Sequence, residues 1–269
     1  MAAKLLEVKH LSKIYNEQSA NPVVALDNID FDVDQGSFVS IVGPSGCGKT
    51  SILEILAGLR RFSTGSVILN GEILSGPMSS IGVVFQEDST FPWRNVMENI
   101  QFGLEMQGVK KSEYRKAAEE MIQVIGLSGF EKSYPYQLSG GMRQRVSIAR
   151  TLATKPDIVL MDEPFGALDE QTRLILGLEL LNIVRRTKAT VILVTHSIQE
   201  AALLSDKIVV LSPRPGRVKS TIKNNLPYHR DASLLSSHEF SEITQKIWYL
   251  LKEESVASTR FELHKKVVN

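Results

Sequence analysis

Residues 43–50 read GPSGCGKT, and residues 158–163 read IVLMDE. The first stretch fits G-x-x-x-x-G-K-[ST], with the short apolar run SFVSIVG before it and a helical pattern from Thr50 through Leu59 after it. Gly43, Gly46 and Gly48 let backbone N–H groups turn toward phosphate oxygens with no Cβ in the way, and the positive end of the following helix adds to the attraction. Lys49 is placed to reach β- and γ-phosphates, and the Thr50 hydroxyl to ligate Mg²⁺. The second stretch is a buried strand ending in two carboxylates. Asp162 suits the Mg²⁺ shell, and Glu163 suits the general base that polarises an attacking water.

Between these two lies LSGGM at 138–142, a second glycine stretch that one nucleotide does not need. Opening a helix, Ser139, Gly140 and Gly141 form a second anion nest with a helix dipole behind it. Cys47 occupies a variable position of the first loop. A helix N-terminus can lower a thiol pKa, but filler is the simpler reading. The five histidines show no metal-ligand spacing.

The elements that must hold these groups follow from apolar periodicity. ALDNIDFDV alternates at Ile29, Phe31 and Val33 as a half-buried strand, and Asn70-Gly71 joins two apolar runs as a hairpin. SIGVVF, DIVLMD, TVILVT and KIVVLS read as strands. From about Glu87 to Pro156 the pattern turns helical, including KSEYRKAAEEMIQVIG closed by Gly126. The expected fold is α/β, a parallel sheet with antiparallel N-terminal strands and an inserted helical segment. The expected domains are residues 1–225, carrying the insertion at about 87–157, and a short helical tail at 226–269. In that tail Phe240, Ile243, Ile247, Leu250 and Leu251 share a helical face, and the last dozen or so residues are expected to fray.

The chain has 269 residues and a formal net charge of +1, which gives no electrostatic argument for a nucleic-acid partner. A single cysteine excludes an intrachain disulfide and favours a reducing compartment. No apolar run approaches the roughly 18 residues a membrane span needs. The expectation is a cytoplasmic protein, held at the inner face of the membrane by a partner if it works there.

Taken in order, the motifs resemble those of the ATP-binding cassette family from about Leu5 to Leu211: Tyr15, the 43–50 loop, Gln86, the 138–142 signature, Asp162-Glu163, Asp169 and His196. The resemblance implies a phosphate-loop NTPase of RecA-like fold that hydrolyses ATP with Mg²⁺. It implies that two such cassettes, identical or close paralogues, pair head to tail with each ATP between one chain's phosphate loop and the other's signature. It extends the nucleotide contacts to Pro44, Ser45, Cys47 and Ser51. Tyr15 then stacks on adenine, unless it is a core aromatic. Gln86 senses Mg²⁺ or water, His196 hydrogen-bonds the γ-phosphate and Asp169 touches the opposite chain. The metal shell is Thr50, Gln86 and Asp162. Arg143 and Arg145 read as solvated or paired helix residues. One departure stands out: the family signature commonly ends in Gln, and here the fifth residue is Met142.

Among function classes, a kinase or GTPase has no use for the signature. A soluble cassette ATPase of repair or translation is expected to carry a coiled-coil insertion or two cassettes, and a fused exporter its own membrane helices. The ATPase subunit of a prokaryotic importer fits, with a soluble cassette ATPase as the alternative. Phe91, Pro92 and Trp93, in the loop after Gln86, read as a docking surface for transmembrane permease subunits or as a locally buried turn. The stretch from Gly76 to Ile100, RPGRV at 214–218 and the short tail resemble the nitrate/sulfonate/taurine branch. That branch implies uptake of a small anion delivered by a periplasmic or lipoprotein binding protein.

Overall fold

The computed structural model describes residues 4–86, 89–166 and 168–267, with the backbone alone beyond residue 252. In chain order the elements are β1 (Lys4–Tyr15), β2 (Val23–Asp34), β3 (Phe38–Val42), α1 (Lys49–Leu56), β4 (Thr64–Leu69), β5 (Glu72–Ile73), β6 (Ile81–Val84), α2 (Val96–Met106), α3 (Lys111–Val124), α4 (Gly140–Ala153), β7 (Ile158–Asp162), α5 (Glu170–Thr187), β8 (Thr190–Thr195), α6 (Ile198–Leu204), β9 (Lys207–Leu211), β10 (Val218–Lys223) and α7 (His238–Val267). They form two compact bodies, one of residues up to 78 together with those from 192 onward, the other of residues 79–191.

In the first body β1 pairs antiparallel with both β2 and β4, giving the order β2-β1-β4-β5. Ile29, Phe31 and Val33 of β2 are buried, as their alternation requires. The β4–β5 turn puts Asn70 and Gly71 at φ 52° and 84°, the left-handed pair that a two-residue hairpin demands. β3, buried along its whole length, runs parallel to β9, with Val39 opposite Lys207 and Val42 opposite Val210. A strand covered on both faces needs no alternation, which is why FVSIV is apolar at nearly every position.

Helix α1 stops at Leu56, short of the expected Leu59. Gly58 takes φ +72°, and the Leu59 N–H donates back to the Glu54 carbonyl. That bond closes the helix in the manner of a Schellman cap. A methyl on Gly58 would lie 2.3 Å from the Gly76 carbonyl, so the neighbouring chain enforces the glycine.

The end of α6 is closed by residues from far along the chain. The Arg230 guanidinium, on a side chain 1% exposed, donates to the carbonyls of Leu203 and Ser205. The Asn224 amide donates to those of Ala202 and Ser205. These are the orphan acceptors of a helix C-terminus, and here side chains satisfy them. Of the expected face of α7, Phe240 and Ile247 are buried, and Ile243, Leu250 and Leu251 are half-buried.

The second body sets β6 parallel to β7, Ile81 opposite Ile158 and Val84 opposite Met161. Between them in sequence come α2, α3 and α4, which share a core of Ile100, Leu104, Ala118, Ile122, Val146 and Ala149. α2 opens with a full capping box, Asn95 with Glu98, and Gly126 at φ +67° follows α3. Glu87, the expected start of the inserted helical segment, lies outside the described residues. Among the described residues no helix is long and apolar enough to cross a membrane.

Candidate active site

The phosphate-loop sequence lies between β3 and α1, in the first body. Gly46 and Gly48 take φ 76° and 102°, which L-side chains rarely adopt. Gly43 is required for a different reason, since a methyl there would lie 2.7 Å from Cys47 Sγ and 3.1 Å from Leu211 Cβ. Lys49 is buried, and its ammonium donates to the carbonyls of Gly43 at 2.8 Å and Pro44 at 3.2 Å. The cation therefore curls over the loop it belongs to. Ser45, Gly46 and Thr50 face solvent. Cys47 is fully buried, and burial pushes its thiol pKa up. It stays protonated and acts as a packing group.

Tyr15, at the end of β1, donates to or accepts from the Ser51 hydroxyl at 2.8 Å. The Lys13 ammonium and the Arg60 guanidinium sit 5.1 and 5.3 Å from its ring centroid. Arg60 is itself paired with Glu54. Tyr15 is thus half-buried at the surface of the sheet rather than in the core.

His196 is exposed on the turn between β8 and α6. Thr195 and Glu200, both buried, hydrogen-bond to each other beneath it. The Thr195 hydroxyl also accepts from the Ser197 N–H at 3.0 Å, and Ser197 caps α6 through the Glu200 N–H. Three side chains therefore fix the turn that presents the histidine.

In the second body, β7 ends at Asp162, and Glu163 follows with φ 42°. A non-glycine residue held in this region marks a site where the surroundings over-determine the backbone. A methyl on Gly166 would lie 3.2 Å from Gln86 Nε2 and 3.4 Å from Glu163 Oε2. The turn after β7 thus gathers Gln86 and Glu163 around Gly166. Arg173 secures the turn by donating to the carbonyls of Gly166 and Leu168.

The signature opens α4. Ser139 caps the helix, its hydroxyl accepting from the Met142 N–H at 3.3 Å, and Arg143 donates to the Leu138 carbonyl at 2.7 Å. Met142 joins the cap through its main chain, which the change of side chain leaves intact. Ser139 and Gly140 are exposed. Arg145 donates to the Ile125 carbonyl and lies 3.7 Å from Glu179, a paired helix residue. Asp169 caps α5 by accepting from the Thr172 N–H, and that bond holds its carboxyl below the usual range.

The ABC transporter family model matches residues 26–166, more than half of the chain. The chain belongs to the ABC transporter family. It is 51% identical to an uncharacterized ABC transporter ATP-binding protein of Methanocaldococcus jannaschii, over 95% of this chain and 94% of that one. It is 44% identical to an aliphatic sulfonates import ATP-binding protein of Bacillus cereus, over 90% of this chain and 94% of that one. Among solved structures, a dimeric ATP-binding cassette in a post-hydrolysis state with ADP and Pi matches with a TM-score of 0.69 and 31% identity, over 83% of this chain and all of that one. The expected phosphate-loop NTPase fold and ATPase class stand on these matches.

This ABC cassette also carries groups that the sequence did not single out. Asn99 is fully buried, and its side chain accepts from the Phe91 N–H and donates to the carbonyls of Phe91, Arg94 and Asn95. It fixes the loop in which Trp93 is 72% exposed. Phe91 is wedged inward, with Phe102 at 4.6 Å, Trp93 at 5.5 Å and the Arg150 guanidinium at 4.8 Å from its ring. Tyr134 and Tyr136, stacked at 5.8 Å and exposed, stand just before the signature. An Asn directly after the glutamate of a capping box gives no warning of a buried role, so only tertiary structure reveals it.

Proposed function

We propose that this cassette is the ATP-hydrolysing subunit of a prokaryotic importer, working as a head-to-tail pair with a second copy or a close paralogue. Gly140 carries the reading. It has no left-handed φ, and the nearest atom that a methyl there would meet is Arg143 Nη2, at 3.9 Å. Its own fold does not call for glycine at a helix start, where alanine forms helix better. Bare backbone at an exposed helix N-terminus suits the close approach of an anion from another chain, namely the γ-phosphate of ATP.

Within that pair the roles divide by chemistry. Lys49 and the backbone N–H groups from Gly43 to Ser51 hold the phosphates. Tyr15 receives the adenine once its cationic neighbours shift. Ser139, Gly140 and Gly141 hold the partner's nucleotide. Thr50, Gln86 and Asp162 offer hydroxyl, amide and carboxylate oxygens, a hard donor set that fits Mg²⁺. That ion, when bound, neutralises charge on the phosphates. Glu163 takes a proton from the attacking water, and His196 donates to the γ-phosphate.

The exposed Trp93, on a loop locked by Asn99, supports docking to transmembrane permease subunits. This would hold the cassette at the inner face of the membrane. The likeness to the sulfonate import protein favours a small organic or inorganic anion as cargo, delivered by a separate binding protein.

Two variants test this. Glu163→Gln should bind ATP yet lose turnover by about 10²- to 10⁴-fold, and should run as a dimer with Mg-ATP on size exclusion. A monomer at every ATP concentration would refute the sandwich. Trp93→Ala should melt within about 0.5 kcal/mol of wild type while losing co-purification with its permease. Retained co-purification with unchanged melting would remove Trp93 from the interface.

A further inference from the structure

The turn between β9 and β10, Ser212–Arg217, contains most of the RPGRV stretch at 214–218. It packs against the rear of the phosphate loop. A methyl on Gly216 would lie 2.1 Å from the Cys47 carbonyl oxygen, a contact that no side chain tolerates. The same glycine is stitched to β2, its N–H donating to the Ala25 carbonyl and its carbonyl accepting from the Asp27 N–H, both at 2.9 Å. Ala25 and Leu26 in turn crowd Gly48, where a methyl would meet Leu26 Cδ2 at 2.6 Å and the Ala25 carbonyl at 3.1 Å.

The turn is self-supporting. The Ser212 hydroxyl accepts from the Arg217 N–H and lies 3.0 Å from the carbonyls of both Pro213 and Pro215. Arg217 reaches across to Asp27 at 2.9 Å. Cys47 is thereby clamped on two sides, its thiol against Gly43 and its carbonyl against Gly216.

We infer that the Ser212–Arg217 turn braces the phosphate loop and that Gly216 is a positioning residue for nucleotide binding. The inference rests on residues 43–50 being the nucleotide cradle. A peptide whose carbonyl is blocked from behind has its own orientation fixed, and with it the aim of the neighbouring N–H groups that receive phosphate. Moving that peptide back to admit a methyl group should misalign the cradle and weaken hydrogen bonds from its N–H groups to the charged phosphates.

The test measures Mg-ATP and Mg-ADP affinity by calorimetry, together with melting, KM and kcat. Gly216→Ala should raise the dissociation constant of both nucleotides by about 10- to 100-fold, the cost of about one hydrogen bond to a charged group, and KM should rise more than kcat falls. Gly76→Ala, where a methyl would meet nothing within 4 Å, should leave affinity unchanged. Ser212→Ala adds no bulk and keeps the test alive if Gly216→Ala does not fold. It should weaken binding several-fold, with little change in melting temperature. Wild-type affinity in a folded Gly216→Ala, or in Ser212→Ala should Gly216→Ala not fold, would overturn the brace. So would equal losses in Gly216→Ala and Gly76→Ala. Lys49→Ala separates the two readings. If it binds as tightly as wild type, the cradle assignment itself falls; if it loses binding while Gly216→Ala does not, only the brace falls.

Discussion

The two glycine stretches of this chain look alike in sequence and differ in what makes them glycine. In the phosphate loop the fold itself excludes side chains. Gly43 and Gly48 have neighbours within 2.7 Å of where a Cβ would be, and Gly46 and Gly48 have left-handed φ. In the signature, Gly140 meets nothing nearer than 3.9 Å and sits in an ordinary helix. Gly141 falls between, with the Leu176 side chain at 3.1 Å. One loop is constrained from within, and the other is left bare for an outside visitor.

This contrast can be broken by experiment. Gly140→Ala carries the largest expected effect. Turnover should drop by about 10²- to 10³-fold, the usual cost of spoiling one donor aimed at developing charge. Stability should hold level or rise by about 0.4–1 kcal/mol, and the monomer's ATP affinity should not move. A less stable monomer would mean that Gly140 serves its own fold after all.

Gly48→Ala should behave the other way round. Forcing alanine to φ 102° against Leu26 should lower unfolding free energy by about 1–3 kcal/mol, and ATP affinity should fall with it. Denaturant melts and calorimetry check both. An unchanged melt would remove the internal constraint from that position.

The smallest effect belongs to Asp169, whose cap on α5 is stronger when charged. The Thr172 N–H lowers its pKa in the fold, so its contribution is present above the ordinary Asp value near 4 and is lost as pH falls through the lower folded value. Melting temperatures from pH 7 to pH 3 should therefore decline slightly more for wild type than for Asp169→Asn. Parallel curves would show that the cap does not respond to charge.

Much of this was open to a reader of the sequence, because the signals are local. Alternation at Ile29, Phe31 and Val33, the Asn70-Gly71 turn, and the apolar runs before Gly43 and Asp162 each declare their element within a few residues. Helix α1 ends before the expected Leu59 because Gly58 turns to φ +72° and caps it, a stop that apolar periodicity alone runs past. The groups whose roles the sequence hides act outside their own element. Gly216 serves a peptide at Cys47, Arg230 serves the end of α6, and Asn99 gathers four backbone bonds from a loop that precedes it. No pattern of period two or 3.6 encodes such pairings.

Asn99 has a last consequence, for kinetics. Because its amide already ties down Phe91, Arg94 and Asn95, the loop around Trp93 has little freedom left to lose when a partner arrives. Association should then resemble rigid docking, with an encounter rate much the same for any permease whose surface fits. Discrimination between right and wrong permeases would lie in how long each stays seated, so residence time, rather than speed of arrival, would decide which transporter this cassette powers.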